Sequence, residues 1–142
     1  MDRANPKPDG SDPPAPVAAP GAGRDDVGRA VLAHLREIEE RLAPGLAAQV
    51  MPVFLRDMTI RQAALADAIG RADTVEAHRV AHTIHGSAAS VGAATMMRAS
   101  AEILAHIKNR QLDCCAPLLG QLAADLESVR RTAAADGITA AE

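Results

Sequence analysis

Along this chain apolar residues recur at steps of three and four, and nowhere do they alternate at every second position, a periodicity that commits the chain to helices. The side chains available point the same way. Ala, Leu, Val, Ile and Met supply nearly all of the 48% apolar content and Phe54 is the single aromatic residue, a mixture that favours helix over sheet. With 142 residues there is room for one domain with an ordinary buried core.

Prolines at 6, 8, 13, 14, 16 and 20, interspersed with Gly, Asp and Ala, make residues 1–24 a segment that cannot bury a core and is expected to be a disordered tail. A helical domain is expected over 25–136 and a disordered end over 137–142. Asp25 and Asp26 are plausible caps for a first helix with Val27, Val31, Leu35, Ile38 and Leu42 on one face, ended by Pro44 and Gly45. A second helix carries Met51, Phe54, Leu55, Met58, Leu65 and Ile69 inward. Pro52 suits a first turn, so its regular part is expected to begin near there, with Gly70 as its carboxyl-terminal cap. The third helix is expected over 74–90, stopping at Gly92, and the fourth over 93–108, with Met96, Ser100, Ile103 and Ile107 inward and Asn109 as terminator. The fifth starts between Asp113 and Pro117 and buries Leu118, Leu119, Leu122, Leu126 and Val129. Connections this short force successive helices to run antiparallel. The expected fold is all-α: an antiparallel up-and-down four-helix bundle with an additional amino-terminal helix.

A formal charge of −3 and the lack of aromatic side chains for base stacking exclude nucleic acid as an expected partner. No apolar run approaches the roughly 20 residues needed to cross a bilayer, and the amino-terminal stretch has no apolar signal-peptide core, so a cytoplasmic, membrane-free protein is expected. Cys114 and Cys115 are adjacent, a spacing that disfavours a mutual bridge, and are read as reduced thiols.

The informative segment is VEAHRVAHTIHGSAASVGA, residues 75–93. At about 100° per residue, Val80, Ile84 and Val91 cluster on one side, flanked by Ala77 and Ala88. His82 points roughly 180° away, and within about 60° of it lie His78, Arg79, His85, Gly86, Ala89 and Val75. A histidine there is neither a core residue nor an ordinary surface one. Gly86, in the same row, costs roughly 1 kcal/mol relative to Ala inside a helix, which makes sense if another protein's backbone must come close to the imidazole. Ala89 leaves the same approach open.

Phosphoryl transfer asks for little more than a nucleophile, in-line access and charge neutralisation. A neutral imidazole supplies the first, and the sequence offers no P-loop or other Gly-rich phosphate cradle of its own. His82 is therefore the candidate phosphoacceptor, His85 and Arg79 are candidates to hold phosphoryl oxygens, and His78, Gly86 and Ala89 are candidates for partner docking.

AHTIHGSAASVGA, residues 81–93, resembles the signature of the histidine-containing phosphotransfer (HPt) family: a His, two residues, usually a Lys, then Gly, small residues and a Gly-Ala pair. FLRDMTIRQAALADAIGRAD, residues 54–73, is similar to that family's preceding helix and turn, and the likeness spans about residues 46–133. The resemblance implies that His82 is phosphorylated, that Gly86 permits docking of receiver domains, and that the protein relays a phosphoryl group between receiver aspartates of a hybrid histidine kinase and a response regulator. It implies a covalent phosphocarrier without autonomous kinase activity, with no cofactor of its own, the Mg²⁺ being held by the partner receiver. A monomer is expected. The main departure is His85, where the family usually has Lys; a histidine's charge varies with pH near neutrality and a lysine's does not.

Two other readings compete. His78, His82 and His85 follow i, i+4, i+7 spacing and, with His106 on the next helix, could form a metal or haem site. Against it, the row is exposed and no Asp, Glu or Cys lies between the histidines, so no metal site is expected. The other is a module that docks receivers without taking phosphate, against which the acceptor histidine argues.

Overall fold

Five α-helices form in the computed structural model, which describes the backbone over residues 20–138 and side chains over 26–138. They are α1 (Pro20–Arg41), α2 (Leu46–Gly70), α3 (Thr74–Ser90), α4 (Ala94–Lys108) and α5 (Ala116–Ala135), with a 3-10 turn, Leu112–Cys115, leading into the last. No strand occurs among the described residues. The expected tail and carboxyl-terminal end lie largely outside them. Among the described residues, no helix is long and apolar enough to cross a membrane.

Each helix buries most of the stripe its sequence carries, but Ile38, Ile69, Leu118 and Leu119, at the edges of their stripes, are only half-buried. α3 packs against α2 on one side and α4 on the other, α5 meets both α4 and α2, and α1 lies along α5 with a smaller contact to α2. Met51, Leu55, Met58, Leu65, Ile84, Met96, Ile103, Leu122 and Val129 are fully buried between them. Methionines fill the irregular spaces that aromatic rings would otherwise occupy, because an unbranched thioether adapts to its surroundings.

Several boundaries differ from expectation. α1 begins at Pro20, a residue preorganised for a first helical turn. Asp26 consequently sits inside the helix and pairs with Arg29 at 2.5 Å, so neither it nor Asp25 is the cap. Because α1 stops at Arg41, Leu42 leaves the apolar face and stands 74% exposed. α2 starts at Leu46, ahead of Pro52, which lies inside it. The proline leaves the carbonyl of Ala48 without a ladder donor, a loss water can offset because Ala48 is exposed. At the other end the chain stays packed beyond 136: Ile138 is buried, and its N–H donates to the Ala133 carbonyl at 2.8 Å.

The ends of α2, α3, α4 and α5 share one device. Asp73, Ala93, Gln111 and Ile138 each donate a backbone N–H to the carbonyl five residues back, at 2.8–2.9 Å, and the residue before each has positive φ. At Gly92 a side chain is excluded twice over, since φ is 71° and an added Cβ would lie 2.8 Å from the His34 ring of α1. After α2 this position is Ala72 (φ 59°), so Gly70, still helical, is not the cap it was expected to be; after α4 it is Arg110 (φ 58°), and Asn109 caps the helix as expected. Cys114 is exposed and Cys115 buried, both as free thiols.

α1 is held by close approach at Gly28. A Cβ there would lie 2.2 Å from Thr132 Oγ1 and 2.4 Å from the Ser128 carbonyl, and the Gly28 N–H donates to Ser128 Oγ at 2.9 Å. Since the backbone carbonyl cannot swing aside, Gly28→Ala should push α1 off α5 and cost about 1–3 kcal/mol in urea denaturation, despite the better helix propensity of alanine.

Candidate functional site

α3 starts where the Asp73 side chain accepts a hydrogen bond from the Glu76 N–H at 3.1 Å, satisfying one of the orphan donors of the first turn. From there the helix divides cleanly. Ala77, Val80, Ala81, Ile84 and Ala88 are buried, while Val75, His78, Arg79, His82, Gly86 and Ala89 are exposed. His82 thus stands on the outward face, opposite the stripe that fixes the helix in the core.

The neighbours of His82 differ in how they are engaged. His78, one turn back, lies parallel to it, with ring centroids 6.4 Å apart and planes within 5°. Neither ring has a hydrogen-bonding partner among the described residues. Arg79 shares the exposed row, but its guanidinium grips the Glu76 carboxylate through both Nε (3.0 Å) and Nη2. That pairing holds the Glu76 carboxyl below the ordinary carboxylate range and raises the arginine further. The charge of Arg79 is therefore directed back along the helix; an exposed pair of this kind exchanges readily for a better partner.

His85 departs from the expected outward row. It is half-buried, with Nδ1 3.1 Å from the Met97 carbonyl and 3.2 Å from Ser100 Oγ, both on α4. A carbonyl oxygen can only accept, so Nδ1 carries the hydrogen and the neutral ring keeps its lone pair on Nε2. The physical reason is angular. Position 85 lies about 60° round the helix from 82, on the flank that α4 covers. His106 is also engaged, its Nδ1 lying 3.2 Å from Gln111 Oε1. Among the described residues no three His, Cys, Asp or Glu side chains group as a metal centre, so the four histidines do not assemble into one.

Around Gly86 the surface is open: a Cβ built there meets nothing within 4 Å. Ala89 continues that low patch. Shallow grooves flank the outward row, one between α2 and α3 lined by Ile60, Arg61, Ala64, Arg79, Val80 and Thr83, the other lined by Thr74, Val75, His78, Ile107, Lys108 and Arg110. Sequence reasoning gave no role to Ile60 and Val75, which stand 63% and 81% exposed, or to Arg61, Lys108 and Arg110. Val75 was placed near His82 by its helical angle; Ile60 and Arg61 lie on α2, Lys108 ends α4 and Arg110 is in the turn after it, and only the packing brings them alongside.

The Hpt domain family model matches residues 49–132, more than half of the chain, from the second turn of α2 to the last of α5. No curated protein matches the chain. The open space at Gly86 has a consequence for stability alone: Gly86→Ala should stabilise the fold by up to about 1 kcal/mol in urea denaturation, the reverse of the same change at Gly28.

Proposed function

Because the chain belongs to the Hpt domain family, whose members act in phosphorelays, we propose that His82 is its phosphoacceptor, taking a phosphoryl group from one receiver aspartate and passing it to another. The observation that carries this reading is the exposed, unbonded imidazole of His82 on the outward face of α3, beside the open surface at Gly86.

The chemistry asks little of this protein. The lone pair on Nε2, the ring nitrogen farther from the backbone, attacks the phosphorus of an aspartyl phosphate; the P–O bond to the carboxyl breaks, and the aspartate leaves as a carboxylate. The reverse sequence delivers the group to a second receiver. In both directions Mg²⁺ belongs to the receiver, and α2–α5, as an up-and-down antiparallel bundle, hold the nucleophile still. His78, Gly86 and Ala89 form the centre of the docking face, with Val75 and Ile60 as its apolar flanks. Arg79 turns from Glu76 to the phosphoryl oxygens on docking, and the imidazolium form of His85 donates Nε2–H to them from the α4 side while Nδ1–H stays on the Met97 carbonyl. The protein acts as a cytoplasmic monomer without nucleotide or cofactor of its own, between a hybrid histidine kinase and a response regulator.

Incubation with a phosphorylated receiver domain should transfer acid-labile label to the wild type, and His82→Gln should lower it by at least about a hundredfold while leaving the helical circular dichroism unchanged. A docking module that binds the phosphorylated receiver but takes no label would refute the transfer reading. The His85 position makes a separate prediction: between pH 6 and 8 the transfer rate of the wild type should vary more than that of His85→Lys, because lysine keeps its charge over this range. Identical profiles would remove His85 from the charge assistance.

A further inference from the structure

We propose that His78 and His82 together form an open, two-point chelate for a borderline divalent transition cation such as Ni²⁺ or Zn²⁺, and that an ion held there blocks His82 as a nucleophile. Residues at i and i+4 stand one above the other on a helix, and here both imidazoles are exposed with their planes within 5°. The two remaining histidines of this region are tied, His85 to Met97 and Ser100 and His106 to Gln111, whereas His78 and His82 have no hydrogen-bonding partner among the described residues. Two unbonded imidazoles are thus left on one face, each free to turn a lone pair toward a shared ion.

The fit is close. With metal–nitrogen bonds of about 2.0–2.1 Å, two imidazoles on one tetrahedral ion have centroids about 5 Å apart and lone pairs that converge, so the parallel rings, now 6.4 Å apart, must turn toward one another about their side-chain torsions, which their exposure leaves open. Water completes the coordination sphere, since no third protein ligand groups with the pair. Arg79, the cation next in sequence to His78, is held against Glu76. Lys108 and Arg110 line the groove that His78 shares and oppose any cation. The site is therefore restricted to ions with high affinity for imidazole and rejects Mg²⁺ and Ca²⁺, which prefer oxygen ligands. The ion takes the same His82 lone pair that would attack phosphorus, so the two events exclude one another. Competition rests on the reading of His82 as phosphoacceptor; metal binding does not.

The test uses the tag-free full chain carrying Cys114→Ser, which removes the exposed thiol. Titration with NiCl₂ and with ZnCl₂ should show one ion per chain, with affinity falling about tenfold or more in His78→Ala and in His82→Ala, unchanged in His106→Ala, and unaffected by millimolar Mg²⁺. In NMR spectra of the Zn²⁺ titration the ring signals of His78 and His82 should move together. Affinity that survives His78→Ala, or a shift of the His82 ring alone, would overturn the chelate. Labelling by phosphoramidate, a small phosphodonor that needs no receiver, should slow as the ion binds. Relative to each protein's own metal-free rate, His78→Ala should require about tenfold more ion for the same inhibition. Labelling indifferent to bound ion would overturn the competition, and a metal-free wild type that takes no label would instead overturn the phosphocarrier reading while leaving the chelate intact.

Discussion

Everything at the site depends on α3 being unable to rotate. Its inward stripe is made of Ala77, Val80, Ala81, Ile84 and Ala88, all buried, and the alanines let the backbones of α2 and α4 come close on either side. Burying Val80 and Ile84 contributes about 1.5–3 kcal/mol each, so turning the helix by even one residue's angle would expose them and carry the row with His82 toward the core. The packing thus sets the direction of the imidazole without any hydrogen bond to it. An imidazole held by its helix and not by a partner group keeps its lone pair available.

The same packing decides how the neighbours of His82 are engaged. Two residues at equal distance along the helix from His82, Arg79 before it and His85 after it, are both engaged, yet differently. Arg79 is paired to a carboxylate on its own helix, an exposed contact that a better anion can replace. His85 is tied to another helix, where the Met97 carbonyl fixes its tautomer. One is an adjustable charge and the other a fixed orientation. That difference lies in tertiary contacts and is invisible to helical periodicity, which assigns both residues to the same face.

Much of the fold was legible because its determinants are local. The bounds of α3, its buried stripe and the outward position of His82 follow from 3.6-residue periodicity, and Asp73, whose side chain accepts from the Glu76 N–H, announces the start. The misses share a cause: a local preference overridden by context. Pro52 is tolerated inside α2 because the carbonyl it strands belongs to an exposed residue. Leu42 follows the apolar rhythm of α1 but falls just past its end. Ala72 and Arg110 take a left-handed conformation without glycine, because the bonds from Asp73 to Ala68 and from Gln111 to His106 offset the steric cost of about 1–2 kcal/mol. His85 faces α4 because of where that helix lies, a fact of packing.

The three glycines that matter show how one residue type can serve opposite ends. At Gly28 the space of the missing side chain is filled by α5, whose Ser128 and Thr132 come closer than van der Waals contact with any Cβ would allow, so the glycine stabilises the fold through contact. At Gly92 the His34 ring occupies the space and the backbone needs positive φ. At Gly86 nothing occupies it, and the helix gives up propensity with no internal contact in return. On the proposed function, that cost is what keeping the surface clear for a docking receiver requires. It lies one turn from the one imidazole that the core turns most directly outward.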